Sequence, residues 1–345
     1  MSVGTGIRIT VTVSLFLLSV SGAYPQDQAA GPVRLMFYNV ENLFDISNDT
    51  ATDDDEFLPS GLRRWNFRRY NEKINSLYKT ITAAGEWEPP VLVGLCEVEN
   101  KRVINDLISG TNLSKYDFGI IHEDSPDRRG IDVCLIYRKS TVKVISYDYI
   151  MPVDSGEVPY KTRSVLYMKC RIMNDTLHLF LNHWPSRRGG VLAGESQRLR
   201  IASMLIEKTD SIVLAEGMDA KIILAGDFNA VPEDEVIGKL SGHYGSGLTM
   251  INLSDGLPEG SGTYRYKGTW EMIDQVIVSE AVISGKRGLH AIPGSLKIFN
   301  PSFLLQEDPN YPGQSPFSTY RGYKYQGGYS DHLPVILGLN LSLDF

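Results

Sequence analysis

Residues 221–229 read Lys221-Ile222-Ile223-Leu224-Ala225-Gly226-Asp227-Phe228-Asn229. A short apolar run with β-branched residues, broken by Gly and closing on polar residues, has the pattern of a buried strand that ends in a turn. Taken alone, the Gly-Asp-Phe-Asn step is equally an Asx-turn closing a strand. The pattern becomes decisive because it recurs. Val33–Val40 runs into Asn39-Val40-Glu41-Asn42, and Val91–Val98 carries Cys96-Glu97-Val98-Glu99-Asn100 at its end. Leu177–His183 leads to Asn182-His183-Trp184-Pro185-Ser186-Arg187-Arg188, and later come Met272-Ile273-Asp274-Gln275-Val276 and Ser330-Asp331-His332-Leu333-Pro334. Strand ends are where a rigid sheet aims reactive groups into one cleft.

Further strand candidates are Phe118–His122, Ile131–Arg138, Val142–Ile150, Ser164–Met173 and Leu333–Leu339. Tyr70, Ile74, Leu77, Tyr78 and Ile81 recur at helical spacing between Phe67 and Ala84, with Arg68, Arg69, Glu72, Lys73 and Lys79 assigned to the opposite face. Ser196–Ile206 is a second helix candidate. Many strands with few helices predict an α/β (α+β) sandwich rather than a simple Rossmann alternation. Asn48–Glu56 reads as a solvated acidic loop and Leu304–Gly328 as an irregular loop before the last strand. Neither a repeat nor a long linker divides the chain, so one domain over 24–345 is expected.

The 345 residues carry 34 Lys+Arg against 41 Asp+Glu, a formal charge of −7, with 42% hydrophobic and 22% charged residues. This excludes a disordered chain, a collagen-like fibre and a polytopic membrane protein. It argues against coating nucleic acid by bulk charge and leaves room for a local basic groove. Arg8, the apolar run Ile9–Val20 and the small residues Ser21-Gly22-Ala23 read as a secretory leader over residues 1–23. The run is shorter than the roughly 20 residues a membrane span needs. The expected product is exported, with no stable membrane insertion after cleavage and no protein partner evident, and a monomer is expected. Cys96, Cys134 and Cys170, an odd number, sit in strand-like runs and read as buried free thiols.

Taken in order, Tyr-Asn-Val-Glu-Asn, Leu-Cys-Glu-Val, Asn-His-Trp-Pro-Ser, Gly-Asp-Phe-Asn, Ile-Asp-Gln-Val and Ser-Asp-His-Leu-Pro resemble the endonuclease/exonuclease/phosphatase superfamily. The resemblance spans the chain from Asn39 to His332. It implies a four-layer sandwich, two central, mostly antiparallel β-sheets flanked by helices, with a metal site at one end of the sheets. It also implies phosphate-ester hydrolysis, which needs charge neutralisation on the phosphoryl oxygens, an activated water and help for the leaving oxygen. Carboxylate and amide oxygens without thiolates suit Mg²⁺, Mn²⁺ or Ca²⁺. Glu97 is the expected first ligand, with Asn39, Glu41 and Asp331 near the ion, directly or through water. Asp227 is expected beside the attacking water, Asn229 on the phosphate, and His332 on a phosphoryl oxygen with Asp274 fixing its tautomer.

His183 matches the second histidine of the deoxyribonuclease and sphingomyelinase branches, and Asp132 is expected to be its partner. Arg187 and Arg188 are placed to bind substrate phosphate, and equally fit a solvated surface. Arg63, Arg64, Arg68 and Arg69 read as a solvated helix face. Trp65, Trp184 and Trp270 either stack on a base or sugar or pack in the core. Together these residues predict a nuclease acting on DNA or RNA, with a phosphodiesterase or phosphatase on a lipid head group or small phosphoester as the alternative.

Overall fold

The computed structural model describes residue 1 and residues 33–153, 160–187, 194–284 and 288–342. The expected leader over residues 1–23, apart from Met1, lies outside them. Among the described residues no helix is long and apolar enough to cross a membrane.

The two parallel strand pairs organise the fold. Strands β1 (Val33–Leu43) and β2 (Leu92–Val98) are joined by helix α1 (Phe67–Ala84) and pair in parallel. Further along, β7 (Asp175–His183) and β8 (Lys221–Asp227) are joined by helix α3 (Glu195–Glu216) and also pair in parallel, while α2 (Lys101–Ser109) follows β2. Each crossover returns the chain so that both carboxyl ends lie on one edge. All other neighbours within these sheets are antiparallel. The first sheet adds β3 (Phe118–Ile121), β4 (Asp132–Arg138), the last strand Val335–Ser342 and two short strands, and the second adds β5 (Val142–Ile150), β6 (Val165–Ile172), Asp274–Ser279 and two short strands. The sandwich of two mostly antiparallel sheets expected from the sequence is the one observed.

Side chains alternate across each strand, so parity decides what each faces. Leu35 and Phe37 of β1, Leu177, Leu179 and Leu181 of β7, Ile223 and Ala225 of β8, and Val276 and Val278 of the next strand share the core between the sheets. Met36, Tyr38 and Val40 face outward against Tyr70, Ile74, Leu77 and Ile81 of α1. Phe180, Ile222 and Leu224 face Ile201, Ala202 and Leu205 of α3. These three cores separate four layers. Two glycines permit close approach: a Cβ on Gly94 would lie 2.8 Å from Leu181 of the opposite sheet, and one on Gly226 only 2.4 Å from Asn182 O.

All three cysteines are free and buried. Lys73 is not on a solvated face; it lies among the buried residues of α1 and is 1% exposed. The arginine cluster is only partly solvated. Arg63 lies over the rings of Phe57, Tyr320 and Tyr323, and Arg69 lies over Tyr325, so both hold the aromatic loop against α1. That loop contains two small ribbons, Leu305–Glu307 with Gln314–Pro316 and Tyr320–Arg321 with Lys324–Tyr325. Helix α3 continues ten residues past the expected Ile206, to Glu216.

Within the acidic loop Asp54 is buried, while Asp49, Asp53 and Asp55 are exposed. Nearby, Glu99 accepts the Asp45 N–H at 2.6 Å. Burial, opposed by that bond and reinforced by the charges of Asp45, Asp54 and Asp49, pushes its carboxyl up to about 8. The folded state therefore holds a proton that the unfolded chain releases near 4.5. The associated stability is present below that value and is lost as pH rises toward 8. Denaturant titrations should show Glu99→Gln gaining about 1–3 kcal/mol over wild type at pH 8, a gain that fades toward pH 4.5. A pH-independent difference would refute this account.

Candidate active site

The polar cluster continues the interior apolar stripes at the carboxyl edge. The parity that puts Leu35 and Phe37 inside puts Asn39 inside, and the same holds for His183, Asp227 and Asp274 on their strands. His183 pairs with Asp227 across β7/β8, and Asp227 pairs with Asp274 on the next strand, giving one row of three. Asn39 reaches across from the other sheet and donates through Nδ2 to Asp227 Oδ2 at 3.0 Å.

Irregular backbone completes the arrangement. The ladder between β1 and β2 is interrupted between Asn39 and Leu43, and that between β2 and β4 between Cys96 and Val98. Glu41, Asn42, Glu97 and Asn229 all have positive φ, from 48° to 62°. Such conformations are strained for non-glycine residues and persist where surrounding structure enforces them. Bulges of this kind re-aim a side chain. Glu97 consequently faces the cleft, and its Oε2 accepts the Asn42 N–H at 3.0 Å.

The cleft has a volume of about 520 Å³ and is lined by Asn39, Glu97, His183, Asp227, Asn229, Asp331 and His332, with Arg129, Arg187, Tyr264, Tyr266 and Glu271 toward its rim. Asp227 Oδ2 stands between two imidazoles, 3.7 Å from His183 Nε2 and 3.9 Å from His332 Nε2. Its Oδ1 accepts the Asn229 N–H at 2.9 Å, and Asn229 Nδ2 donates to Trp184 O at 3.0 Å. His332 Nδ1 lies 2.7 Å from Asp274 Oδ2, which also accepts from Thr263 Oγ1 at 2.5 Å.

The charges divide the two histidines. Burial works against a proton on His332, but Asp274, Asp227 and Asp331 outweigh it and hold its pKa well above the ordinary value. His183 is driven well below that value by burial and by Arg163, Arg129 and His332. The surroundings therefore favour the cation at His332 and the neutral ring at His183, the kind of split that assigns separate acid–base roles. Burial and the neighbouring Asp274 push Asp227 up to about 7, and burial and Glu97 raise Asp331.

Two expected placements are corrected. Asp132 does not partner His183. It shares the outward parity of Cys134 and Ile136, and its Oδ2 lies 3.1 Å from His122 Nε2 while Oδ1 accepts the Ser125 N–H. Glu41 turns out of the cleft at the bulge, where its oxygens accept the N–H groups of Thr319 (2.5 Å) and Tyr320 (3.0 Å). Trp65 and Trp184 are fully buried and pack in the core. Arg187 does line the cleft, but it is ion-paired with Glu271. Arg188 lies outside the described residues.

Several contributors escaped the sequence reading. Arg163 Nη1 bonds Asp127 at 2.9 Å and Nη2 bonds Trp184 O at 2.5 Å, tying the β3–β4 loop to the end of β7. Arg129 on that loop lies 3.4 Å from Asp127. No motif marks these arginines, because they come from loops whose packing is set by the tertiary fold.

The chain belongs to the endonuclease/exonuclease/phosphatase family, whose model matches residues 34–341. Its members are metal-dependent phosphoesterases, and so is this enzyme. A comparison with curated proteins finds no match. Among solved structures, the chain is similar to a mannosyl-6-phosphatase from Bacteroides thetaiotaomicron VPI-5482 (TM-score 0.57, 15% identity, 89% of this chain and 99% of that one). It is also similar to the human Nocturnin catalytic domain with bound sulfate (0.55, 16%, 90% and 95%). A third is humanized D. rerio TDP2 (0.54, 15%, 90% and 99%). At these identities the likeness shows the fold.

The residues present fit a hard divalent cation. Glu97, Asp331 and Asn39 offer oxygen donors only; Asn39 Oδ1 accepts one N–H, from Glu41 at 3.0 Å, and keeps a second lone pair. Positive charge among these crowded acids would offset the repulsion that raises Asp227 and Asp331.

Proposed function

We propose that this enzyme is an exported, monomeric hydrolase of small phosphoesters that uses Mg²⁺, with Mn²⁺ or Ca²⁺ as alternatives, held by Glu97, Asp331 and Asn39. The observation that carries the reading is Asp227 Oδ2 set between His183 Nε2 at 3.7 Å and His332 Nε2 at 3.9 Å, with His332 fixed by Asp274. When bound, the cation supplies charge neutralisation at the phosphoryl oxygens. Asp227, with a pKa near neutrality, orients the attacking water and takes its proton. The water oxygen bonds to phosphorus as the ester P–O bond breaks; the leaving oxygen takes a proton from solvent, Asp227 returns its own to solvent, and the products are an alcohol and phosphate. His332 donates to a phosphoryl oxygen through Nε2, while Asp274 holds the Nδ1 proton. Asn229, which lines the cleft on a left-handed backbone (φ 48°), contacts the phosphate through its side-chain amide in this reading.

The small-phosphoester reading is preferred over the nuclease because both described rim arginines have a carboxylate beside them: Arg129 has Asp127 and Arg187 has Glu271. A polyanionic strand needs basic groups available for its phosphates. The histidine pair still supports the nuclease as a second reading. Purified enzyme with Mg²⁺ or Mn²⁺ should release phosphate from small monoesters, with EDTA abolishing turnover and added metal restoring it. Rapid EDTA-sensitive cleavage of plasmid or single-stranded DNA, without monoester turnover, would move the assignment to the nuclease. Turnover of every substrate in EDTA would overturn the metal assignment.

A further inference from the structure

Resting on the phosphoester-hydrolase reading above, we infer that the alcohol released is hydroxyl-rich, a sugar or polyol, recognised by Glu271 together with its partner Arg187. Both side chains line the cleft, 23% and 18% exposed, and are joined by an ion pair. A largely buried ion pair of this sort is weak evidence for stability by itself. Its position is nevertheless fixed with unusual care. Glu271 closes an antiparallel ribbon, Tyr264–Tyr266 with Thr269–Glu271, in which it stands opposite Tyr264.

The ribbon is pinned at its far end by Arg265, which donates to Gly268 O at 3.1 Å and to Pro312 O and Gln314 O at 2.5 Å. At its near end Tyr264 forms a backbone bridge with His332, and the two rings lie 5.0 Å apart. Thr263, just before the ribbon, bonds Asp274. The ribbon therefore sets Glu271 at a defined offset from the imidazolium that meets the phosphoryl group.

The chemistry of the pair selects its ligand. Hydroxyl groups both donate and accept, so a diol can donate to a Glu271 oxygen and accept from an Arg187 N–H. A second phosphate can only accept, and Glu271 repels it. An apolar alcohol would strip water from the pair without replacing its hydrogen bonds. The hydroxyl-rich leaving group is the one that satisfies both members. Tyr266, exposed and lining the same cleft, brings an aromatic ring that can pack on the C–H side of a sugar ring.

The test compares two esters of a primary alcohol with similar intrinsic reactivity: a hexose 6-phosphate, taken from a panel of epimers, and cyclohexylmethyl phosphate. The Mg²⁺-loaded wild-type enzyme should prefer the best hexose 6-phosphate by at least about tenfold in kcat/KM. In Glu271→Gln that preference should fall about 10- to 100-fold, mostly through a higher KM for the sugar ester. A merely structural role would slow both esters alike and leave the ratio standing, which would overturn the proposal. So would a wild-type enzyme that shows no preference, a measurement that does not depend on any variant folding. If p-nitrophenyl phosphate is hydrolysed while the sugar phosphates are not, this inference fails and the small-phosphoester reading stands; if an oligonucleotide alone is hydrolysed, both give way to the nuclease reading. If no phosphoester is turned over, both fail.

Discussion

Asp227→Asn should lower kcat by about 10²–10⁴-fold while the protein remains folded. Among the described residues the carboxylate is the only group in the cleft set between both histidines, and it is bonded to Asn39 Nδ2 and to the Asn229 N–H. An Asn side chain keeps an oxygen for the Asn229 N–H, but its NH₂ group then confronts the Asn39 NH₂. One of these amides must turn, so a stability loss of about 1 kcal/mol is expected, offset in part because a buried negative charge is removed. The substitution also withdraws one of the three carboxylates that keep His332 protonated, so the His332 titration followed by NMR should move down. A variant that retains activity within tenfold would remove Asp227 from the role of base or orienter. One that loses activity together with its cooperative unfolding transition would show a structural defect instead.

Much of this site was legible in the sequence because its geometry follows from strand periodicity. Asn39, His183, Asp227 and Asp274 are each two residues beyond an inward apolar residue, so reading the stripe to its end finds them. The same parity would have corrected Asp132, which falls in step with Cys134 and Ile136 on the outward face. Glu41 could not be settled in this way, because the bulge after Asn39 breaks the alternation and only the position of Thr319 and Tyr320 decides where its carboxylate goes. Glu271 and Arg129 were invisible for a different reason. They reach the cleft on a ribbon and a loop, where neither a 2.0 nor a 3.6 period operates and where tertiary contacts set the direction. A sandwich was legible from the number of strands, and its four layers from the family resemblance, but the parallel pairs that gather the carboxyl ends became evident only in the structure.

Lys73 shows how a residue on the far side of a sheet can govern this edge. It lies on the buried face of α1, and its ammonium donates to Thr319 Oγ1 and Tyr329 O at 2.5 Å. Burial pulls its pKa down to about 8, against the charges of Glu41, Asp331 and Glu97, which favour the cation. Burial and Asp331 in turn push Glu41 up to about 7, with Lys73 opposing them. Lys73→Met should therefore cost about 3–5 kcal/mol near pH 8, since it leaves Glu41 and Asp331 without their buried counter-charge and removes the ammonium's bonds to two loop oxygens. The sign of the pH dependence follows from Glu41. Without Lys73 its carboxyl rises further, so the variant holds a proton that the unfolded chain has released. Its deficit should shrink toward pH 5 and grow toward pH 8. Adding Glu41→Gln should recover part of the loss, because a neutral amide no longer needs the ammonium, and the double-mutant cycle measures the coupling directly. A Lys73→Met deficit that is constant with pH and strictly additive with Glu41→Gln would mean that Lys73 acts by packing alone. With coupling, Lys73→Met should also weaken metal affinity, because the segment that Lys73 and Glu41 anchor at Thr319, Tyr320 and Tyr329 leads straight into Asp331 and His332.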